Sequence, residues 1–288
     1  MDDLSYLRGR GEKISDDIIL KHPTLGEIEE WDYMNAEDFS YDNMVSLLLL
    51  NPLDVADILW IDNHIWYEDI KDDWSFFIQM ALSECEVHTV KYRIEEEVLN
   101  TDGLFLGKRH TKALNFFLQT EGEYFMMTKA IPDSDKQQII LVNVKQYDGS
   151  IDDCIKFTEV HYIKLVSFLK KINWVSREYD VLKGGSRQAK EYILKHQRKK
   201  RNKKTVESIN RSSIFSAITA RNGVGSDVKV FDLPIYRFYD IYFRLNKIDS
   251  YNQTMTAYYS GNIDTSKSPL NMDKINWSAI ITTDKGGL

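Results

Sequence analysis

The sequence predicts an α+β protein that is predominantly helical, with helical N- and C-terminal parts flanking a small antiparallel sheet. Apolar residues recur at three- and four-residue spacing in both outer parts, which is typical of amphipathic helices. Between them, Val90, Tyr92 and Ile94 alternate with charged residues, as in a half-buried strand. The 288 residues are 43% hydrophobic and 28% charged, which are ordinary values for a globular protein and exclude wholesale disorder.

These patterns divide the chain into three regions. We expect an acidic helical region over residues 1–86, a small β-sheet region over 87–150, and a helical region over 151–288 that contains a basic helix at 187–204. The chain is long enough for one large domain or two small ones.

The acidic region begins with residues 1–20, which we expect to be loose or extended. Thr24 and Glu27 have the spacing of a capping box and predict the start of the first long helix. Three more helices are expected in this region: one over 41–50 that ends before Pro52, a short one that Asp54 caps and that runs through Trp60, and a longer one over 66–84.

The sheet region is predicted from short apolar runs that turn residues separate from one another. These runs indicate a mostly antiparallel sheet between the two helical regions. After the alternating segment around Val90, they lie at 104–106, 113–118, 124–127 and 139–144.

The third region begins with a helix predicted over 153–171, with Asp152 as its cap. Gly184 and Gly185 are expected to form a hinge, and Ser186 then caps the basic helix. The apolar stripe of that helix is narrow, and a helix this polar bridges elements or projects from the body. Another helix is expected over 209–220.

The C-terminal pattern predicts two successive helices rich in tyrosine. Asp232 is expected to cap the first, with Pro234 in its first turn, and Gly261 to end the second. Tyrosine combines an apolar body with a polar tip, and so it serves both in cores and at interfaces. Trp277 is expected to anchor the segment that follows.

Charge is distributed unevenly along the chain. Residues 1–100 contain 24 Asp and Glu against 7 Lys and Arg, a net −17, although the whole chain is only −7. Residues 187–204 carry nine basic residues and one acidic residue, a net +8. The two segments can attract each other, each can bind its own partner, or the basic run can be a solvated helix face. As candidate partner-binding residues we take Arg187, Lys190, Lys195, Arg198, Lys199, Lys200, Arg201, Lys203 and Lys204.

The histidines, cysteines and acidic residues do not have the spacing of known catalytic or metal-binding motifs. The six histidines lack the spacing for shared ligation, and Cys85 and Cys154 do not form a zinc or disulfide pattern. The densest acidic cluster, around Asp62, Glu68 and Asp72, is interpreted as the solvated face of a helix, with an enzyme site built from these scattered acids as an alternative. We therefore expect no enzyme activity, no metal and no cofactor.

Nucleic-acid binding is the main alternative that the residues alone suggest. A helix carrying the 187–204 charges would bind phosphates with a steep dependence on salt. An equally physical interpretation is that this helix binds an acidic surface of a protein partner. No apolar run approaches the length of a membrane span, and so we expect no membrane interaction.

Two sets of segments resemble a known family. The first is HPTLGEI at 22–28, with a downstream Tyr41 and a leucine-rich stretch at 46–51. The second set lies near the C-terminus: DLPIYRFYD at 232–240, RLNKI at 244–248, YNQ at 251–253, YSGNID at 259–264 and NW at 276–277. In this order the segments are similar to tail assembly chaperones and other tail-region morphogenesis proteins of tailed phages of Gram-positive bacteria.

The resemblance implies a non-enzymatic virion morphogenesis protein that acts through protein–protein contacts. The implied partners are tape-measure or tube proteins of the phage tail, whose amphipathic helices fit apolar grooves. It also implies a place in the host cytoplasm during infection, with the virion as the alternative, and it leaves an oligomer open. A DNA-associated phage protein that uses the basic helix remains the second hypothesis.

Overall fold

A computed structural model describes residues 3–35, 39–70, 72–83, 87–94, 97–120, 124–129, 139–144, 155–177, 179–201, 210–222, 227–262 and 276. Within these ranges the chain is predominantly helical and contains a small antiparallel sheet, which confirms the predicted α+β class. The α-helices are α1 (Asp3–Leu7), α2 (Leu25–Met34), α3 (Tyr41–Leu48), α4 (Ala56–Asn63), α5 (Asp73–Ser83), α6 (Lys108–Leu118), α7 (Glu159–Ile172), α8 (Arg187–Arg201), α9 (Arg211–Asn222), α10 (Asp227–Phe231) and α11 (Ile235–Tyr259). The strands are β1 (Glu12–Lys13), β2 (Ile19–Leu20), β3 (Val87–Ile94), β4 (Glu97–Phe105), β5 (Tyr124–Lys129), β6 (Ile139–Val144) and β7 (Lys156–Phe157).

The main sheet has the order β3-β4-β5-β6-β7, and every neighbouring pair is antiparallel. Its first four strands lie where the sequence predicts a sheet, and β7 extends it by one short strand. The prediction of a strand at 113–118 is wrong, because these residues lie in α6, between β4 and β5. Ala113, Leu114 and Phe117 of this helix are fully buried, at the three- and four-residue spacing that a helix face requires.

Residues 3–20 form more regular structure than the sequence suggests. They form α1 and the small antiparallel hairpin β1–β2, and Tyr6, Ile14, Ile18 and Leu20 are buried in the main core. Burial of these apolar side chains stabilises the segment, although its few residues give a weak local signal. The expectation of a loose leader is therefore wrong.

The start of α2 is formed as predicted. Thr24 accepts a hydrogen bond from the Glu27 backbone N–H, and the Glu27 carboxylate accepts one from the Thr24 backbone N–H. These bonds satisfy donors that the first turn of a helix leaves unpaired.

Two helix starts in the acidic region differ from the predictions. The helix expected over 66–84 is divided into a short 3-10 helix, Tyr67–Asp69, and α5, and Asp72 accepts from the Ser75 backbone N–H before α5. Asp54 does not cap α4, because its carboxylate instead pairs with Arg177. A tertiary ion pair thus overrides the local cap that the sequence suggests.

Later helix boundaries also shift. α7 begins after Thr158 as its N-cap, beyond the start predicted at 153. The two helices predicted near the C-terminus are one continuous helix, α11, which follows Pro234 rather than Asp232 and ends close to Gly261. The residues singled out at Cys85, Asp152, Cys154, Lys203, Lys204 and Trp277 lie outside the described residues.

One large hydrophobic core joins the N-terminal helices, the sheet and the C-terminal helices. Leu25 of α2, Phe117 of α6, Phe168 of α7 and Phe238 of α11 all belong to it. A second, smaller cluster consists of Ala56, Trp66, Tyr67, Val181 and Leu194, where α8 packs beside α4. In the part of the chain that the structure describes, no helix combines the length and apolar character needed to cross a membrane.

The start of α11 is fixed to the N-terminal part of the chain by main-chain hydrogen bonds. The Leu25 N–H donates to the Leu233 carbonyl, and the Ile235 N–H donates to the Pro23 carbonyl. Gly9 has φ +69°, and a Cβ there would lie 2.5 Å from a ring carbon of Pro234, so the leader passes too close to this proline for a larger residue.

Candidate interaction surface

The basic helix α8 begins at the predicted place. Ser186 accepts a hydrogen bond from the Ala189 backbone N–H, as an N-cap does. The helix runs from Arg187 to Arg201, so its described end lies short of the predicted residue 204. Leu194 is fully buried and Tyr192 is 73% exposed, and so one side of the helix faces the body and the other faces solvent.

The inner side of α8 packs against aromatic residues within α4 and just after it. α4 ends at His64, which has a left-handed conformation, and the Ile65 N–H then donates to the Leu59 carbonyl. This turn reverses the chain and places the Trp66 ring edge-on to the Trp60 ring, with centroids 5.1 Å apart. The Tyr67 ring lies beside Trp66 at 5.3 Å.

Two acidic residues beside these rings form ion pairs with α8. Lys190 Nζ lies 2.5 Å from Glu68 Oε1, and Arg198 Nη1 lies 2.7 Å from Asp62 Oδ1. The Trp66 ring N–H also donates to Glu68 Oε2 at 2.6 Å. We call the set of Trp60, Asp62, Trp66, Tyr67 and Glu68 the acid–aromatic cradle.

Cation–π contacts add to these ion pairs. The Arg187 guanidinium lies 4.9 Å from the Trp60 ring centroid and 5.2 Å from that of Trp66. Lys190 Nζ lies 5.9 Å from the Tyr67 centroid. An aromatic ring attracts a cation at its face at these distances. The cradle therefore binds α8 through both its carboxylates and its ring faces.

The electrostatic effect appears on both partners of the Lys190–Glu68 pair. The hydrogen bond from Lys190, followed by the one from Trp66, lowers the pKa of Glu68. The hydrogen bond to Glu68 raises the pKa of Lys190. Glu68 is about half exposed and Lys190 retains some exposure, and so screening by salt weakens this attraction.

The nine predicted partner-binding residues fall into three sets. Arg187, Lys190 and Arg198 contact the cradle. Lys195, Lys199 and Lys200 are exposed, and none of the ion pairs found among the described residues involves them. Arg201 is the last residue of α8, and Lys203 and Lys204 lie outside the described residues.

The sequence interpretation missed the aromatic half of the cradle and its support. Asp54, Arg177, Tyr179 and Asn51 form a hydrogen-bonded group next to the second hydrophobic cluster: the Asn51 side-chain amide donates to the Tyr179 hydroxyl, and that hydroxyl donates to Asp54. The available signal was the interleaving of tryptophan, tyrosine and acids at 60–69, followed much later by a run of cations.

The acidic residues considered for an enzyme site have separate partners. Asp62 pairs with Arg198, Glu68 with Lys190, and Asp72 with Ser75. Across the residues that the structure describes, no group of three or more His, Cys, Asp and Glu side chains is placed to hold a metal ion. Each of these three acids therefore contacts a different side chain.

A second feature is the distal half of α11, residues 246–259, which is exposed at its end and in which Ile248, Tyr251 and Met255 are half-buried. The first turns are anchored by Ile235, Phe238 and Tyr239 in the main core. From position 246 onward, no described residue of this helix belongs to either hydrophobic cluster. Tyr258 is 40% exposed and Tyr259 is 79% exposed.

Comparison with known families finds one similarity, in the C-terminal part of the chain. Residues 199–282 match a family model described as the YomV second domain. That family is phage-derived, and so this segment, which includes α9, α10 and α11, is similar to a phage domain. No curated protein and no solved structure matches the chain. The predicted resemblance to phage proteins is confirmed at this level, and the tail-assembly role stays a prediction.

Proposed function

We propose that this chain is a phage virion morphogenesis protein that acts through protein–protein contacts and not by catalysing a reaction. The observation that carries the proposal is the distal half of α11. It lies in the segment similar to a phage domain, and it extends beyond both described hydrophobic clusters.

The geometry of this helix suits binding to another helix. α11 has 25 residues and is therefore about 37 Å long. Ile248, Tyr251, Met255 and Tyr258 recur at spacings of three and four, and so they share one face. Exposed tyrosines contribute contact area at low entropic cost and are frequent at interfaces.

Within virion assembly we propose a role at the tail, as an assembly chaperone or a tail-associated component. The partner would be a tape-measure or tube protein, which presents amphipathic helices before the tail polymerises. A face of isoleucine, methionine and tyrosine complements such a helix, because contact buries apolar area on both sides.

The experiment is a co-purification from cells in which the phage is growing. The tagged full-length chain is expected to retain a tail protein, identified by mass spectrometry. The double variant Tyr258→Ser and Tyr259→Ser is expected to lose most of that partner, because it removes two exposed aromatic rings and leaves the buried start of α11 intact.

The matched control is Tyr33→Ser. Tyr33 is 87% exposed at the end of α2, so the control removes a comparable aromatic surface elsewhere. It is expected to retain the partner. Equal retention by the double variant and the wild type would contradict the role of α11, and recovery of no virion protein would contradict the proposed function.

A second candidate function, association with DNA, is favoured by the outer side of α8. Lys195, Lys199 and Lys200 are exposed there and have no ion pair among the described residues. If this face binds phosphates, log K should fall linearly with log salt, and reversing the three lysines to glutamate should reduce the slope by about 3. Binding that is unchanged in the triple variant would reject this function.

A further inference from the structure

The acid–aromatic cradle has the chemistry of a receptor for basic helices. It offers two carboxylates, Asp62 and Glu68, beside the ring faces of Trp60, Trp66 and Tyr67. Arginine and lysine side chains that project from one helix face can pair with the carboxylates and contact the ring faces at the same time. In this structure the chain's own α8 is the occupant.

The contact between α8 and the cradle is separate from the main core. The buried residues at the contact are the five of the second cluster, and α8 contributes one of them, Leu194. Partly buried Ile193 and the cation–π contacts of Arg187 and Lys190 add to this cluster. The ion pairs involve side chains that remain partly solvated: Lys190–Glu68 is 18% and 49% exposed, and Arg198–Asp62 is 37% and 43% exposed. Salt screens such pairs, whereas it does not weaken the apolar main core.

The connection that precedes α8 allows it to move as a unit. Gly185 has no atom within 4 Å of a Cβ placed on it, so its surroundings are open. A glycine in open surroundings has wide backbone freedom. Rotation about this residue would carry α8 away from the cradle.

We propose that α8 is an autoinhibitory latch: it occupies, in the free protein, a cradle that binds basic helices, and a basic helix supplied in trans exchanges with it. Release uncovers the ring faces of Trp60 and Trp66. It also frees Arg187, Lys190 and Arg198, which adds three cations to the exposed Lys195, Lys199 and Lys200. The proposal does not depend on the phage function, because the cradle and the latch are both parts of this chain.

The first test measures hydrogen exchange of the full chain in low and high salt, at about 0.05 M and about 1 M NaCl. Amides of α8 are expected to exchange at least tenfold faster in high salt, while amides of α7 in the main core keep their protection. The same fast exchange is expected in low salt for Asp62→Asn combined with Glu68→Gln. Equal protection of α8 under all these conditions would overturn the latch.

The second test measures binding in trans, with a fluorescent peptide of residues 186–201 as the probe. The variant Lys190→Glu with Arg198→Glu weakens the latch in cis and is expected to bind the peptide at least tenfold more tightly than the wild type, because the competing helix has a high effective concentration. Adding Asp62→Asn and Glu68→Gln to that variant removes the cradle's charge without restoring the pairs in cis, and it is expected to weaken peptide binding at least tenfold.

The outcomes of the peptide experiment are decisive in both directions. Equal affinity for the wild type and the latch variant, no binding to the latch variant, or binding that is unchanged when the cradle carboxylates are neutralised would each reject the proposal. Protection of α7 amides reports whether a variant is folded, so misfolding is not mistaken for loss of the cradle.

Discussion

His22 and His110 are buried in the protein at 7% and 2% exposure. Burial lowers the pKa of each from 6.5 to about 4. The ring nitrogens of His110 have no hydrogen-bond partner among the described residues, and its ring lies edge-on to Phe77. A buried polar group without a partner destabilises the folded state, and so His110 lowers the free energy of unfolding relative to an apolar residue of similar size.

Stability should therefore fall as the pH decreases. Between about 6.5 and about 4 the unfolded chain binds protons that the folded chain does not, and each histidine contributes a loss of about 1.4 kcal/mol per pH unit. The loss is absent above pH 6.5 and grows through this window. His110→Leu should raise stability at pH 7 and remove the contribution of His110 to the pH dependence. Urea unfolding at pH 7 and pH 5 checks this, and an unchanged pH slope in His110→Leu would contradict it.

Arg211 is the most enclosed cation whose contacts the structure describes, with 11% of its side chain exposed. It pairs with Asp32 at 2.5 Å and with Asp42 at 3.4 Å, and its guanidinium lies 5.3 Å from the Tyr41 ring centroid. It thereby joins α9 to α2 and α3. Removing one partner of such a group leaves charges that lack compensation.

Two arginine variants compare an enclosed ion pair with an exposed one. Arg211→Met is expected to lower the free energy of unfolding by about 3 kcal/mol. Arg221→Met, which breaks an exposed pair with Asp249, is expected to cost less than about 1 kcal/mol. Chemical denaturation of both variants measures the difference. Equal losses would show that Arg211 behaves as a surface residue.

At the scale of elements, the start of α8 depends on a close approach at Gly184. A Cβ there would lie 2.9 Å from Lys190 Cγ and 3.1 Å from its backbone nitrogen, whereas Gly185 has open surroundings. Gly184→Ala should shift the first turn of α8 and disturb the Lys190–Glu68 pair, with a loss of about 1–3 kcal/mol.

The neighbouring glycine provides the control. Gly185→Ala should be neutral or slightly stabilising, because it removes freedom from the unfolded chain without a clash. Exchange of α8 amides and thermal unfolding distinguish the variants. The same response from both would contradict the role of close packing at Gly184.

Local signals predicted element starts where local contacts decide them. The capping box at Thr24 and the cap at Ser186 formed as expected, because each bond spans three residues. Asp54 has the same local pattern but binds Arg177, more than a hundred residues away. α6 was missed because its short apolar run fits either a strand or a helix, and packing inside the core decides between them.

For the whole molecule, the predominantly helical α+β class follows from the periodicity of the sequence. The contacts that join the N-terminal part of the chain to the start of α11 do not. The start of α2 and the start of α11 meet through main-chain bonds such as Ile235 to Pro23, and the leader passes close to Pro234 at Gly9. These contacts leave no mark in the pattern of side chains. In the segment similar to a phage domain, α9, α10 and the first turns of α11 contribute side chains to the main core, whereas the distal half of α11 extends beyond it.

The candidate surface was predicted in part. The charge run identified the cations of α8, and the opposite charge of the N-terminal region suggested an internal attraction. The structure shows that attraction at Lys190 and Arg198. Which cations face inward could not be predicted, since that depends on where Leu194 enters the second cluster.

The central claim, that the chain works in virion assembly by contacting other proteins, is tested most directly by complementation. A phage that lacks the chain is expected to produce particles without complete tails, as counted by electron microscopy. The wild type and Tyr33→Ser should restore tails when supplied in trans, and the Tyr258→Ser, Tyr259→Ser variant should not. Complete, infectious particles formed without the chain, or tails restored equally by the double variant, would contradict the claim.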